Sequence, residues 1–390
     1  MKLLFCEPNP SFGGGSEQVC LDLARGLARR GHRISLLHDQ AGTMLAAYEA
    51  AGATRRQMEL RPFGWRTLGS SLLRAWRVGR AASSLGAEVI VASEVHYLRL
   101  LALASVMSGI PVMFHLGLAA THCEWSWASA YRTIRAGVAP SAHTLESWRD
   151  SGWPATTLSE IPNGVDTARF CPAPDKAALR ARLGLPVNAT LINHTGRLTP
   201  EKGTGTLIEA FARIKDQLPN SLLVMVGKDG VPGDRWPRRA AELGIPAERV
   251  KFLGARPDPE AFMAAADVVV APSECEESFG LTVVEAMACG VPVITTEVGM
   301  LPQLLGPGQA DRVVRPGDGP GLAQAIHRAV SAAPERSRAL RARVLEHFST
   351  DKSCDAYERV LLQLRRPQPA GGVSSLAGQD KLPVKGGLPF

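Results

Sequence analysis

The chain has 390 residues, 45% of them apolar and 21% charged, with a formal net charge of +7. That length allows two or three domains with full hydrophobic cores, and the balance is that of a globular protein. The charge is +4 over residues 1–160, zero over 161–360 and +3 over 361–390. No basic run is interleaved with aromatics, so nucleic acid is not the expected partner; an anionic membrane surface or an acidic acceptor remains.

Seven cysteines show no C-x-x-C and no paired spacing, so a disulfide or zinc framework is not expected. No apolar run reaches transmembrane length, and "MKLLFCEPNP" is too short in apolar residues for a signal peptide. A cytoplasmic protein with reduced cysteines is expected.

Along the chain, strands are predicted at "KLLF", "RISLLH", "EVIVA", "PVMFH" and "TTLSEIP". Amphipathic helices fit between them, for example Ser16–Arg30. The grammar repeats at "ATLINHT", "SLLVMVG", "RVKFLG", "DVVVAP", "VPVITT" and "DRVVRP". Strands alternating with helices point to a parallel sheet covered on both faces. Two such blocks meet near "NGVDTARFCPAPD". The expected layout is one Rossmann-like domain over 1–165, a linker over 166–185 and a second Rossmann-like domain over 186–364. The last helix is free to cross back to the first domain. Residues 365–390, rich in Gly, Pro and Ser, read as a disordered tail.

In open parallel sheets, ligands sit beyond the carboxyl ends of the strands. The residues just past each predicted strand include Gly13–Gly15, His115, Gly196–Arg197, Gly227–Lys228, Gly254–Arg256 and Glu277–Gly280. The last of these opens "ESFGLTVVE", in which Glu277 and Glu285 stand eight positions apart. Eight helical residues rise ~12 Å, too far for a hydrolytic carboxylate pair, which stands roughly 5–9.5 Å apart. Phe279, Gly280 and Leu281 open a helix, whose free amides suit an anion. Arg197 and Lys202 in "TGRLTPEKG" add two cations suited to a diphosphate. A carboxylate on each side of an anion site fits a nucleotide sugar.

These segments resemble retaining GT-B glycosyltransferases of glycosyltransferase family 4. "ESFGLTVVE" is similar to that family's E-x7-E motif and "GRLTPEKG" to its G-R-x4-K-G motif. "FGGGSE", "FHLG" and "IPNGVDTARFCP" resemble its N-terminal glycine loop, its strand-end histidine and its interdomain segment. The match runs over about residues 2–360 in the family's order. It implies an α/β protein of GT-B type, two Rossmann-like domains facing each other across a cleft, with the acceptor on the first and the donor on the second.

The resemblance also implies roles. Gly196, Arg197 and Lys202 would hold the donor diphosphate, with Gly14 and Gly15 closing on it. Glu285 would accept from the ribose hydroxyls. Glu277 would face the donor sugar, flanked by Ser278 and the Phe279, Gly280 and Leu281 amides. His115 would lie at the reacting face, and His115, Glu277, Arg197 and Lys202 would carry the chemistry. The implied reaction transfers a sugar from a nucleoside-diphosphate sugar, UDP- or GDP-linked, to a glycan, lipid-linked or small-molecule hydroxyl. Cell-surface polysaccharide or glycolipid synthesis is the implied setting. No Asp-x-Asp pair occurs, so no metal and no other cofactor is expected. The sequence departs from the family at "GMLPQ", where Met300 and Gln303 stand in place of its usual residues. A sugar-nucleotide epimerase or a non-catalytic nucleotide-sugar-binding subunit are the alternative readings.

One feature lies outside the family motifs. In "RPFGWRTLGSSLLRAWRVGR", Arg66, Arg74, Arg77 and Arg80 fall within about 120° on a helix, with Leu68, Leu72, Trp76 and Gly79 opposite. This is either a helix packed on the sheet with a basic outer face, or one that lies on an anionic membrane.

Overall fold

The computed structural model describes residues 1–11, 14–120, 128–230, 233–331 and 334–365. The chain divides into two compact units. One holds Met1–Gly164 and the helix Thr350–Arg365; the other holds Val165–Ser349. Gly13, Cys123 and the expected tail from residue 366 onward lie outside the described residues.

The first unit contains β1 (Lys2–Cys6), β2 (Arg33–His38), β3 (Thr54–Gln57), β4 (Val89–Ala92), β5 (Val112–His115), β6 (Ala136–Ala139) and β7 (Leu158–Glu160). They form one parallel sheet in the order β3-β2-β1-β4-β5-β6-β7. Side chains alternate between faces with a period of two. Leu3 and Phe5 of β1 join one core, with Leu21, Leu36 and Tyr357. Leu4 and Cys6 join the other, with Val78, Leu101 and Phe114. Both faces are therefore covered, which is why the strands read as continuous apolar runs.

The second unit contains β8 (Thr190–Thr195), β9 (Ser221–Val226), β10 (Val250–Phe252), β11 (Val268–Ala271), β12 (Val293–Thr296) and β13 (Val313–Val314). Its parallel order is β10-β9-β8-β11-β12-β13. Each sheet runs outward in both directions from its first strand. The chain reverses direction across the sheet between β1 and β4 in one unit, and between β8 and β11 in the other. Such reversal points open the crevice in which doubly wound sheets bind ligands.

All eleven predicted strands are present. Two more were not predicted. β3, "TRRQ", is an exposed edge strand whose arginines blunt the sheet edge. β6, "AGVA", is built of small residues because its neighbours crowd it. A Cβ at Gly137 would lie 2.9 Å from Leu116, Trp153 and Leu158 atoms.

The arginine-rich helix, Leu68–Ser84, packs through a different face from the one expected. Its buried residues are Ser71, Ala75, Val78, Gly79, Ala81 and Ala82. Small residues face the helix Leu98–Ser108 so closely that a Cβ at Gly79 would stand 3.2 Å from the Ala104 carbonyl oxygen. The large side chains are left outside. Trp65 is 66% exposed and Trp76 50%, with Leu68, Leu72 and Leu73 exposed beside them.

Candidate active site

The residues past β8 and β11 are stitched into one seam at the second unit's reversal point. Beyond β8 the chain turns through Gly196, at φ 154°, to Arg197. A short 3₁₀ turn, Pro200–Lys202, follows, and Gly203 opens the helix Thr204–Ile214 in a left-handed conformation, φ 70°. A Cβ at Gly203 would sit 1.8 Å from the Pro272 carbonyl oxygen, so only glycine lets the two loops touch. The Glu201 carbonyl then accepts from the amides of Glu274, at 2.9 Å, and Cys275, at 3.1 Å.

That seam brings Lys202 to Glu277. The Lys202 ammonium donates to Glu277 Oε1 at 2.5 Å, and the Ser273 hydroxyl donates to the same oxygen at 2.5 Å. Both charged side chains are four-fifths buried. Arg197 is 55% exposed and makes a loose 3.8 Å pairing to Glu201. One cation is thus held in place and a second stands open to solvent.

Glu277 and Glu285 do not share a helix, contrary to the simple helical spacing used to judge their separation. The helix begins at Leu281, after Gly280, which caps it at φ 101°. A Cβ at Gly280 would lie 2.3 Å from a Leu301 methyl. Glu277 and Ser278 therefore lie on the loop, and Glu285 lies half-buried within the helix Leu281–Ala288. Phe279 contributes its ring to the core, edge-on to Phe348 at 5.9 Å. The first turn is tied back to the end of β8, where the Thr282 hydroxyl donates to the Thr195 carbonyl at 3.2 Å. Met300 is a core residue behind this corner, and Gln303 is exposed with its carbonyl accepting from Arg343. Of the two residues that depart at "GMLPQ", Met300 thus packs in the core and Gln303 faces solvent.

The first unit has its own cluster past β1, β4 and β5. Gly14 caps the helix Gly15–Arg29 with extended backbone. His115 ends β5 and is fully buried. Its Nδ1 lies 2.7 Å from the Tyr357 hydroxyl, and its Nε2 has no partner among the described residues. Burial pushes its pKa down to about 4, so the ring is neutral at physiological pH. A Cβ at Gly117 would lie 2.2 Å from the Ser16 hydroxyl and 3.3 Å from His115 Nε2, so both flank one point. Gly14, Gly15 and His115 therefore belong to one unit, while Gly196, Arg197, Lys202, Glu277, Gly280 and Glu285 belong to the other.

Glu7 was missed from the sequence. It follows β1 and is buried, with the Ser93 hydroxyl past β4 donating at 3.2 Å from both carboxylate oxygens. Burial raises its pKa to about 8, opposed by a Cys20 hydrogen bond and reinforced by the nearby Glu94 and Glu17 charges. Its signal was available: a carboxylate directly past an apolar strand, next to the reversal point. His194 is buried on β8 and donates from Nδ1 to the Val270 carbonyl at 2.9 Å. Among the described residues, no group of three or more His, Cys, Asp or Glu is arranged to hold a metal ion.

Comparison with known proteins identifies the family. Residues 13–169 match the Glycosyltransferase Family 4 model and residues 175–343 match Glycosyl transferases group 1. The chain belongs to glycosyltransferase family 4. Among solved structures the likeness extends over most of the chain. Anabaena HepE in complex with UDP superposes with a TM-score of 0.80 at 26% identity, covering 93% of this chain and all of that one. WaaG, a glycosyltransferase involved in lipopolysaccharide biosynthesis, gives 0.68 at 19%, over 92% of this chain and 99% of that one. Two Rossmann-like units of parallel sheet are the GT-B architecture of these proteins. A D-inositol 3-phosphate glycosyltransferase of Stackebrandtia nassauensis is 40% identical over 200 residues, 49% of this chain and 44% of its own length. A GDP-mannose-dependent alpha-(1-6)-phosphatidylinositol monomannoside mannosyltransferase of Mycolicibacterium smegmatis is 36% identical over 45% of this chain and 47% of its own. The chain thus spans less than half the length of these curated relatives.

The two buried groups of the first unit pull stability in opposite directions with pH. An unfolded Glu7 ionises near the ordinary 4.5, while the folded carboxyl keeps its proton up to about 8. In that window the native state binds the extra proton, so its stability falls as pH rises. An unfolded His115 takes a proton near 6.5 that the buried ring refuses until about 4, so its contribution falls as pH falls through that window. Glu7→Gln removes only the first slope. The variant should gain stability relative to the wild type as pH rises from about 5 to 8, by up to about 1.4 kcal/mol per pH unit. Urea unfolding across that range measures it; a flat or reversed difference means Glu7 is ionised in the fold.

Proposed function

We propose that the chain is a retaining glycosyltransferase that moves a sugar from a nucleoside-diphosphate sugar to an acceptor hydroxyl. The observation that carries this reading is the seam at the second unit's reversal point. There a held lysine and a carboxylate meet on the loop before the glycine-capped start of the helix Leu281–Ala288, and Arg197 stands open to solvent on the Lys202 loop. Arg197 and Lys202 neutralise the diphosphate as it leaves, and the amides at Phe279–Leu281 add donors without reorganisation. The protein's own cations do the work a metal ion does elsewhere. Glu277 takes a sugar hydroxyl and Glu285 the ribose. The acceptor oxygen attacks from the face the leaving diphosphate vacates, which keeps the anomeric configuration.

UDP and GDP are the expected nucleotides. The HepE structure holds UDP, and the mycobacterial relative is named for GDP-mannose. The acceptor is a glycan, lipid-linked or small-molecule hydroxyl, in cell-surface polysaccharide or glycolipid synthesis. The helix Leu68–Ser84 favours a lipid-linked one. Among the described residues, no helix is long and apolar enough to cross a membrane. Yet Trp65, Leu68, Leu72, Leu73 and Trp76 stand exposed beside Arg66, Arg77 and Arg80, and the segment 65–84 contains no acidic residue. Arg80 lies over the Trp76 ring at 5.5 Å. Aromatic anchors set among arginines fit an anionic bilayer surface.

Two outcomes follow. Arg197→Ala and Lys202→Ala should each raise the barrier to sugar transfer by roughly 2–4 kcal/mol, with the unfolding midpoint of the exposed Arg197→Ala unchanged and the wild-type rate insensitive to chelator. Near-normal rates in both variants would remove the donor assignment. The wild type should co-sediment with anionic vesicles at low salt, each arginine adding about 1 kcal/mol near the surface. Replacing Arg66, Arg74, Arg77 and Arg80 by Gln should abolish the salt-sensitive part, and Trp65→Ser with Trp76→Ser the remainder. A wild type that stays in the supernatant at low salt makes this helix an ordinary solvated face.

A further inference from the structure

The last helix of the chain, Thr350–Arg365, belongs to the first unit and delivers Tyr357 to the end of β5. Its seat is cut to fit. A Cβ at Gly26 would lie 2.3 Å from Cys354 Sγ, and one at Gly164 would lie 2.6 Å from Thr350 Cα. Cys354, Tyr357 and Leu361 are fully buried against Leu21, Ala24 and the β-strand side chains. The Tyr357 ring therefore has one place to be, and there its hydroxyl meets His115 Nδ1 at 2.7 Å.

The direction of that hydrogen bond follows from counting protons. A neutral imidazole carries one N–H, at either nitrogen. Suppose Nδ1 holds it and donates to the phenol oxygen. The phenolic proton is then buried without an acceptor among the described residues, and the buried Nε2 lone pair also has no partner. Suppose instead the phenol donates to Nδ1. The phenol is then satisfied, and only the Nε2–H remains unpaired. One orphaned polar group costs less than two, so the second arrangement prevails.

We propose that Tyr357 is a positioning residue that holds His115 as the Nε2–H tautomer, so that His115 meets a substrate oxygen as a neutral hydrogen-bond donor and not as a base. This rests on the glycosyltransferase reading for the identity of that oxygen, a hydroxyl of the sugar or acceptor. The Nε2 atom faces the point shared by Gly117 and the Ser16 hydroxyl, at the first turn of the helix Gly15–Arg29. Low burial-driven basicity agrees with this role, since a ring with pKa about 4 is a poor proton acceptor at neutral pH.

Tyr357→Phe keeps the ring and its packing and removes only the hydroxyl. The test uses the full chain labelled with ¹⁵N-histidine, whose two ring nitrogens give distinct protonated and unprotonated signals. Wild-type His115 should show Nε2 protonated and Nδ1 bare. In Tyr357→Phe the preference should reverse or become a mixture, with the unfolding midpoint nearly unchanged. In turnover with a nucleotide-sugar donor, kcat should fall about tenfold or more while the donor KM stays within about twofold, because the lost interaction belongs to the transition state. In a His115→Ala background the same substitution should have no further effect on kcat. A variant that keeps the Nε2–H tautomer overturns the proposal, and so does one that loses the tautomer with kcat unchanged. The ring signals are read without donor or acceptor. A wild type that transfers no sugar therefore fails the glycosyltransferase reading while the tautomer is still decided.

Discussion

The candidate donor site depends on one backbone seam. The Glu201 carbonyl accepts from the Glu274 and Cys275 amides, and Gly203 lies directly against the Pro272 carbonyl. Neither contact involves a reactive side chain. Together they fix two loops from strands that are neighbours in the sheet and far apart in sequence. Lys202 and Glu277 then meet because their backbones have nowhere else to go. Any side chain at position 203 would separate the loops and dissolve the ion pair.

The first unit uses the same topological position differently. Its reversal point is closed by Ser93 donating to a protonated Glu7, a neutral carboxyl where the second unit places an ion pair. Next to it, His115 is also kept neutral by burial. The second unit therefore buries an ion pair at its reversal point, where the first buries a neutral carboxyl and a neutral imidazole. Fixed charge suits a diphosphate, and neutral groups suit hydroxyls. On the proposed function, that difference would set the diphosphate on the second unit and sugar or acceptor hydroxyls on the first.

Strand-to-helix alternation was legible in the sequence because both sheets are buried on both faces, so their strands are continuous apolar runs. Where that condition fails, legibility fails. The edge strand "TRRQ" is exposed and polar, and "AGVA" is too small to register as hydrophobic. The helix Leu68–Ser84 shows the limit of amphipathic reasoning. Its buried stripe is made of small residues chosen for close approach, and its largest apolar side chains face solvent. Periodicity located a helix but assigned its inner face by hydrophobicity alone. Motif spacing located Lys202, Glu277 and Gly280, yet it could not show that Lys202 pairs with Glu277 or that Gly280 ends the loop before the helix starts. Tyr357 was invisible for another reason. On the last helix it reads as one more core aromatic, and only the fold sets its hydroxyl against a histidine 242 positions away.

The central claim is that the seam past β8 and β11 binds a nucleoside diphosphate. Hydrogen exchange of the full chain with and without UDP or GDP tests it at the level of single peptides. Binding should slow exchange in peptides spanning 196–205 and 277–286, and the protection should disappear in Lys202→Ala. Nucleotide binding that leaves those two segments unprotected, or protects only peptides of Met1–Gly164, would contradict the account.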